Sequence, residues 1–302
     1  MAARVAVAIV TGMVCTVAAA AMAAEQSRAS GLAAALADAG FAGRDACRRS
    51  LSALPTDRMA ADDRHLVEHF GRSTTLHRRL PAETIRCDSA LLEFVLAKPE
   101  TLVDVWRVLG ISRVSLDPTG PGRWRLADGY GTVGVVRLLH HERRPAGGLL
   151  VFHGRGGYSG SLSPKPLTGS CLLVVRHESV VGRDRGAAQR VEVEAFLEVD
   201  GLGLEIVTRT LQPLIVRSAA ANVHEICLFV TQFSAAACRN PAGMARLAEQ
   251  LPRTGPADRR TLVSLAAGGG VASAQDSAGA DEVGEELAAR WLTADDLDAI
   301  RR

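Results

Sequence analysis

The stretch from Ser218 to Leu251 constrains the fold of this chain more than any other. Val223, Ile226, Cys227, Val230, Phe233 and Ala237 recur at helical spacing and form one apolar stripe. Leu228 and Phe229 carry apolar character to the other side, so this helix is expected to be covered by protein. Asn240-Pro241 ends it and opens a second helix, with Asn as N-cap and Pro at the first helical position. A helix this apolar needs a partner surface, and the preceding sequence supplies one.

That surface reads as an antiparallel sheet. Along Val191 to Asp200, Val191, Val193, Ala195, Leu197 and Val199 face one way. Glu192, Glu194, Phe196, Glu198 and Asp200 face the other. Similar runs occur at 113–116, 123–128, 132–141, 149–153 and 171–178, separated by Gly- and Pro-rich turns. Asp200-Gly201 predicts a hairpin, with Leu202, Leu204 and Ile206 returning on the buried face. One wet and one dry face mark a sheet backed by helices on one side. The expected fold class is α+β: N-terminal helices, then a sheet of about six strands packed by a long C-terminal helix.

Residues 28–110 read as helices, with Arg72 to Pro81 as a basic connector. Leu91, Leu92, Val95 and Leu96 form one apolar face; Pro99 opens a helix with Leu102, Val103, Trp106 and Leu109 inward. The expected divisions are a signal peptide at 1–24, a helical region at 25–110 and sheet plus helix at 111–252. A flexible linker at 253–280 and an acidic tail helix at 281–302 follow.

The leader rests on Arg4, the apolar run Val5 to Ala20, and Ala21-Met22-Ala23 at the spacing a signal peptidase reads. The run is shorter than the roughly 20 residues of a membrane span. The chain is therefore expected to be exported, to the periplasm or beyond, with no membrane span after cleavage. Five cysteines remain, and Cys47 with Cys87 is the pairing their shared helical region allows. Cys171, Cys227 and Cys238 read as small buried residues. A net charge of +2 gives no case for nucleic acid as a partner.

Two patterns bear on chemistry. His65-Leu66-Val67-Glu68-His69 matches H-x-x-E-H, the inverted zinc-peptidase pattern. Two His at i and i+4 share a helix face, and the Glu beside them can activate a zinc-bound water. The third ligand would be Glu142. Leu149 to Gly157, reading LLVFHGRGG, resembles the strand-then-HGGG oxyanion loop of α/β-hydrolases, but no G-x-S-x-G accompanies it. His140-His141-Glu142 and His177-Glu178 offer acid–base groups; adjacent strand residues face opposite ways, so only one of the two neighbouring His serves a given site.

The order of a helix pair, antiparallel strands and a long C-terminal helix resembles the helix-grip fold of the START and SRPBCC (Bet v 1-like) superfamily over roughly residues 90–251. Lys98 to Gly110 is similar to the helix after that fold's opening strand, and 218–239 to its gripping helix. The opening strand itself is not visible in the sequence. The chain as a whole also resembles uncharacterised exported bacterial protein families, from which no activity transfers. The resemblance implies an apolar cavity lined by Trp124, Val193, Leu204, Val230 and Phe233, suited to a hydrophobic small molecule. The expectation is thus an exported, non-catalytic binding or interaction module, for such a ligand or a protein partner. It needs no cofactor. The alternative is a zinc-dependent peptidase using His65, Glu68 and His69, and zinc belongs to that reading alone.

Overall fold

The computed structural model describes residues 44–159, 167–181, 187–201 and 204–268, and leaves aside the side chains of 204–211, 213, 214, 267 and 268. The expected signal peptide (1–24), residues 269–280 of the expected linker and the acidic tail (281–302) lie outside the described residues.

Helix α1 (Arg44–Ser52) is followed by a 3-10 turn at Thr56–Arg58 and helix α2 (Ala61–Ser73). Two short strands, β1 (Leu76–Arg79) and β2 (Glu83–Ile85), precede helices α3 (Ser89–Ala97) and α4 (Pro99–Val108). Six strands then run in succession: β3 (Ser115–Gly120), β4 (Arg123–Ala127), β5 (Thr132–Arg144), β6 (Gly147–Tyr158), β7 (Leu167–Val181) and β8 (Ala187–Val199). Helices α5 (Leu204–Arg239), α6 (Pro241–Glu249) and α7 (Pro256–Gly268) follow. The class is α+β, with an antiparallel sheet of eight strands where the sequence predicts about six.

Strands β3 to β8 form a meander, and β1 and β2 lie end to end along the far side of β8. His77 pairs with Phe196 and Thr84 with Arg190. The expected basic connector at Arg72 to Pro81 therefore contains a strand. This placement also explains why Asp200-Gly201 does not open a hairpin. The edge that a returning strand would need is already occupied, and from Leu204 the backbone is helical. Gly201, at a φ of 110°, makes the turn out of β8.

The sheet is covered on both faces, not on one. On the first, α3 to α7 bury the larger core, with Ile215, Val223, Val230 and Phe233 of α5 against Leu150, Val175 and Leu197. On the second, Cys47, Leu51, Val67 and Phe70 of α1 and α2 cover Val151, Leu172, Val174 and Phe196. The glutamates that made this second face look wet have partners there. Glu194 meets His77 at 2.8 Å and Glu198 meets His69 at 3.1 Å.

The helix ends follow their sequence signals. Asn240 Oδ1 accepts a hydrogen bond from the Gly243 N–H at 3.0 Å, and Pro241 occupies the first turn of α6. Asp88 caps α3 by accepting from the Ala90 N–H at 2.8 Å. The expected linker at 253–280 instead contains α7, whose Leu262 and Ala266 are buried. Its start is fastened by Asp104 of α4, which accepts from the Arg253 and Thr254 N–H groups and from the Thr254 hydroxyl, each at 2.9 Å.

Candidate functional site

Between the first face of the sheet and helices α3, α4 and α5 lies a cavity of about 210 Å³. Period-two alternation directs Leu173 and Val175 of β7, and Val191 and Val193 of β8, toward it. The α5 stripe brings Val223, Ile226, Cys227 and Val230 down from above. Leu92, Val95 and Leu96 of α3 and Leu102, Val103 and Trp106 of α4 close the side. No charged side chain lines the wall. Four of its residues, Leu96, Pro99, Leu173 and Ile226, are only half-buried. Burial pushes the Cys227 thiol up to about 12, so at neutral pH it stays protonated and is no nucleophile.

Of the five residues expected to line a cavity, Val193 and Val230 do so. Trp124 and Phe233 are buried in the adjoining core instead. Trp124 packs beside Phe152, with ring centroids 6.4 Å apart, and its Nε1 donates to Glu100 Oε2 at 2.7 Å. Phe233 stacks on Phe229 at 5.8 Å. Leu204 belongs to the first turn of α5, and its side chain lies outside the described residues. The tryptophan in the wall is Trp106, edge-on to Phe229 at 5.8 Å.

A polar cluster stands at the end of the cavity nearest the β5–β6 hairpin. His177 follows Val175 by two residues on β7 and pairs with Val191 of β8, so it shares their face. Glu93 follows Leu92 on α3. His177 Nε2 lies 2.8 Å from Glu93 Oε2, Arg143 Nε donates to Glu93 Oε1 at 3.0 Å, and His141 Nε2 also meets Oε1. Burial alone would push the Glu93 carboxyl up. Hydrogen bonds from His141, His177 and Arg143 outweigh it and hold the group below the usual carboxylate range. Gly148 makes the arrangement possible, because a Cβ there would lie 2.5 Å from His177 Nε2. The cluster ties α3, one wall of the cavity, to β5 and β7. His141 and His177 were legible as acid–base candidates; Glu93, which joins them, was not. Its own segment, SALLEFVLA, shows only an apolar helix carrying one charge.

The metal pattern does not assemble. His65, Glu68 and His69 do lie on one helix, α2. His65 is exposed, 3.5 Å from Glu68, while His69 turns to Glu198 of β8. Glu142 is engaged with Arg144 at 3.0 Å and Arg58 at 3.4 Å. Among the described residues no group of three His, Cys, Asp or Glu side chains is placed to hold a metal ion. The HGRGG segment is not a loop. His153 to Gly157 lie within β6, paired to β5 on one side and β7 on the other, so the ladder takes up their backbone groups and leaves no oxyanion hole. Cys47 and Cys87 lie in the cores on opposite faces of the sheet, so the allowed pairing does not form, and all five described cysteines are free.

No helix among the described residues is long and apolar enough to cross a membrane. No family model matches the chain, and no curated protein matches it. Among solved structures, an uncharacterized protein from Rhizobium leguminosarum is similar over 50% of this chain and 96% of its own length, at 11% identity and a TM-score of 0.25. That similarity transfers neither fold nor activity.

Proposed function

We propose that this chain is an exported binding module that holds a small apolar molecule between its sheet and α5. The observation that carries the reading is the cavity of about 210 Å³ with a wall of aliphatic and aromatic side chains. An apolar cavity of about 150 Å³ accepts a benzene-sized guest, so this volume suits one ring with a short substituent. Export rests on the leader pattern at 1–24. A helix-grip arrangement is part of the proposal. It is supported by strands β1 and β2 ahead of the α3–α4 pair, the β3 to β8 meander, the return of β1 beside β8, and α5 across the sheet.

The test is titration with ethylbenzene, followed by calorimetry and thermal unfolding. Binding to the folded state raises the unfolding midpoint in proportion to RT ln(1 + [L]/Kd). The expected result is a saturable rise that disappears when Val193→Phe fills the cavity. No rise up to the solubility limit of the probe would sink the reading.

A further inference from the structure

We infer that the open part of the second sheet face is the docking site of this chain's own acidic segment, residues 281–302. The cover given by α1 and α2 reaches Leu139 of β5. It leaves Val133 and Val135 of the same strand outside, 60% and 51% exposed. Tyr130, in the turn before β5, is 55% exposed. These are three of the four large hydrophobic side chains exposed among the described residues, and they gather at one end of β5. An uncovered sheet face ordinarily carries polar side chains, so neighbouring valines there mark a surface that meets a partner.

The charge beside the valines selects that partner. In the ladder Val135 sits between Arg125 of β4 and Arg155 of β6, and Arg123 lies two residues from Arg125 on the same face. Arg155 is held by Asp200 at 2.9 Å, and Arg137 by Asp63. Asp117 of β3, which pairs with Arg125 in the ladder, is taken by Arg253. Arg123 and Arg125 are exposed and have no partner among the described residues. A second copy laid face to face about a twofold axis would bring like arginines together, which opposes that occupant. Segment 281–302 has the complementary make-up, with seven acidic and three basic residues. At helical spacing Val283, Leu287, Trp291 and Leu297 share one stripe, with Glu282 and Glu286 on one side and Asp295 on the other. The tether is long enough. The Arg253–Asp117 pair fixes the corner that opens α7 to β3, the edge of the described sheet. From the end of α7 the path is about 20 Å back along the helix and about 10 Å across β3 and β4 to β5. Residues 269–280 span up to about 40 Å when extended.

Acrylamide quenching of Trp291 in the full chain tests this, with the signal of Trp291→Phe subtracted to remove the buried Trp106 and Trp124. The quenching constant should lie about tenfold below that of the synthetic peptide 281–302, as for a contact of about 0.1 mM affinity held at an effective concentration of about 1 mM. Val135→Asp and Arg125→Glu are surface changes that leave both cores intact. Each should bring the constant back toward the peptide's value, with hydrogen exchange in β7 unchanged. Trp291 as accessible in the natural chain as in the peptide would overturn the inference. Protection that survives both substitutions would overturn it as well. Protection lost on dilution of the natural chain would assign the contact to a second copy, and the intramolecular docking would fall.

Discussion

Replacing Glu194 with glutamine removes the charge at the centre of a buried cluster under α1. The Glu194 side chain is 2% exposed. His77 Nε2 lies 2.8 Å from its Oε1, the Ser50 hydroxyl donates to it at 2.5 Å, and Arg176 Nη1 donates to Oε2 at 3.2 Å. Burial alone would raise the carboxyl. Hydrogen bonds from His77 and Ser50, with the charges of His77 and Arg79, overcome that and bring it from its ordinary 4.5 to about 2. A fall in pKa of one is 1.36 kcal/mol, so the native environment stabilises the charged form by about 3 kcal/mol. The cost of removing one partner of a buried pair, about 3–5 kcal/mol, is of the same size.

The sign follows from which state holds the proton. The unfolded carboxyl takes its proton near 4.5 and the folded one near 2, so the stability is present above 4.5 and lost as pH falls between those values. By pH 3 the natural chain has lost about 2 kcal/mol of it, and Glu194→Gln has lost none. Urea unfolding at pH 7, 5 and 3 reads this directly, provided the slopes stay equal. The variant should be less stable by about 3 kcal/mol at pH 7, and the gap should close to about 1 kcal/mol at pH 3. A gap that does not change with pH, or one under about 1 kcal/mol at neutral pH, would refute the assignment of charge to this cluster.

Three further perturbations separate other parts of the argument. Burial, with Arg137 and Arg155 nearby, lowers the His153 imidazole to about 4; folding therefore loses about 3 kcal/mol as pH drops from 6.5 to 4, and His153→Leu should flatten that window in urea titrations. Val230→Phe should abolish ethylbenzene binding and keep or raise the thermal midpoint if it fills open space, whereas the same change in a packed core costs about 1–3 kcal/mol. Asp104→Ala strips three hydrogen bonds from the Arg253–Thr254 corner and should destabilise by about 2–3 kcal/mol, with hydrogen exchange in α7 rising before that of β7.

Local patterns carried into the fold wherever one residue type repeats over a long element. The α5 stripe, the Asn240-Pro241 break and the alternation in β8 are of this kind, because each is set by periodicity or by a cap. Strands β1 and β2 were hidden because four and three residues show no period, and their partners lie far along the chain; His77 meets Glu194 from 117 residues away. The second covered face was hidden for a subtler reason. Glu192, Glu194 and Glu198 alternate as solvated residues do, but a carboxylate under a helix reads identically in sequence when a distant histidine or arginine pairs with it. Phe196, fully buried beside them and stacked on His77 at 4.4 Å, was the residue that did not fit a wet face.

Whether α5 covers a cavity or a filled core depends on side-chain length, which hydrophobic pattern ignores. Across the middle of the first face the opposing residues are short: Val175, Val191 and Val193 on the sheet, Val223 and Val230 on the helix. Two rings, Trp106 and Phe152, share that wall, with Trp124 against Phe152 and Phe229 between Trp106 and Phe233. A gap in a packed interior forfeits dispersion contacts on every atom that lines it. A chain that keeps five valines around such a gap, when leucine or phenylalanine would close it, is built less tightly than its composition allows, and under the proposed reading a bound apolar molecule would restore the missing contacts.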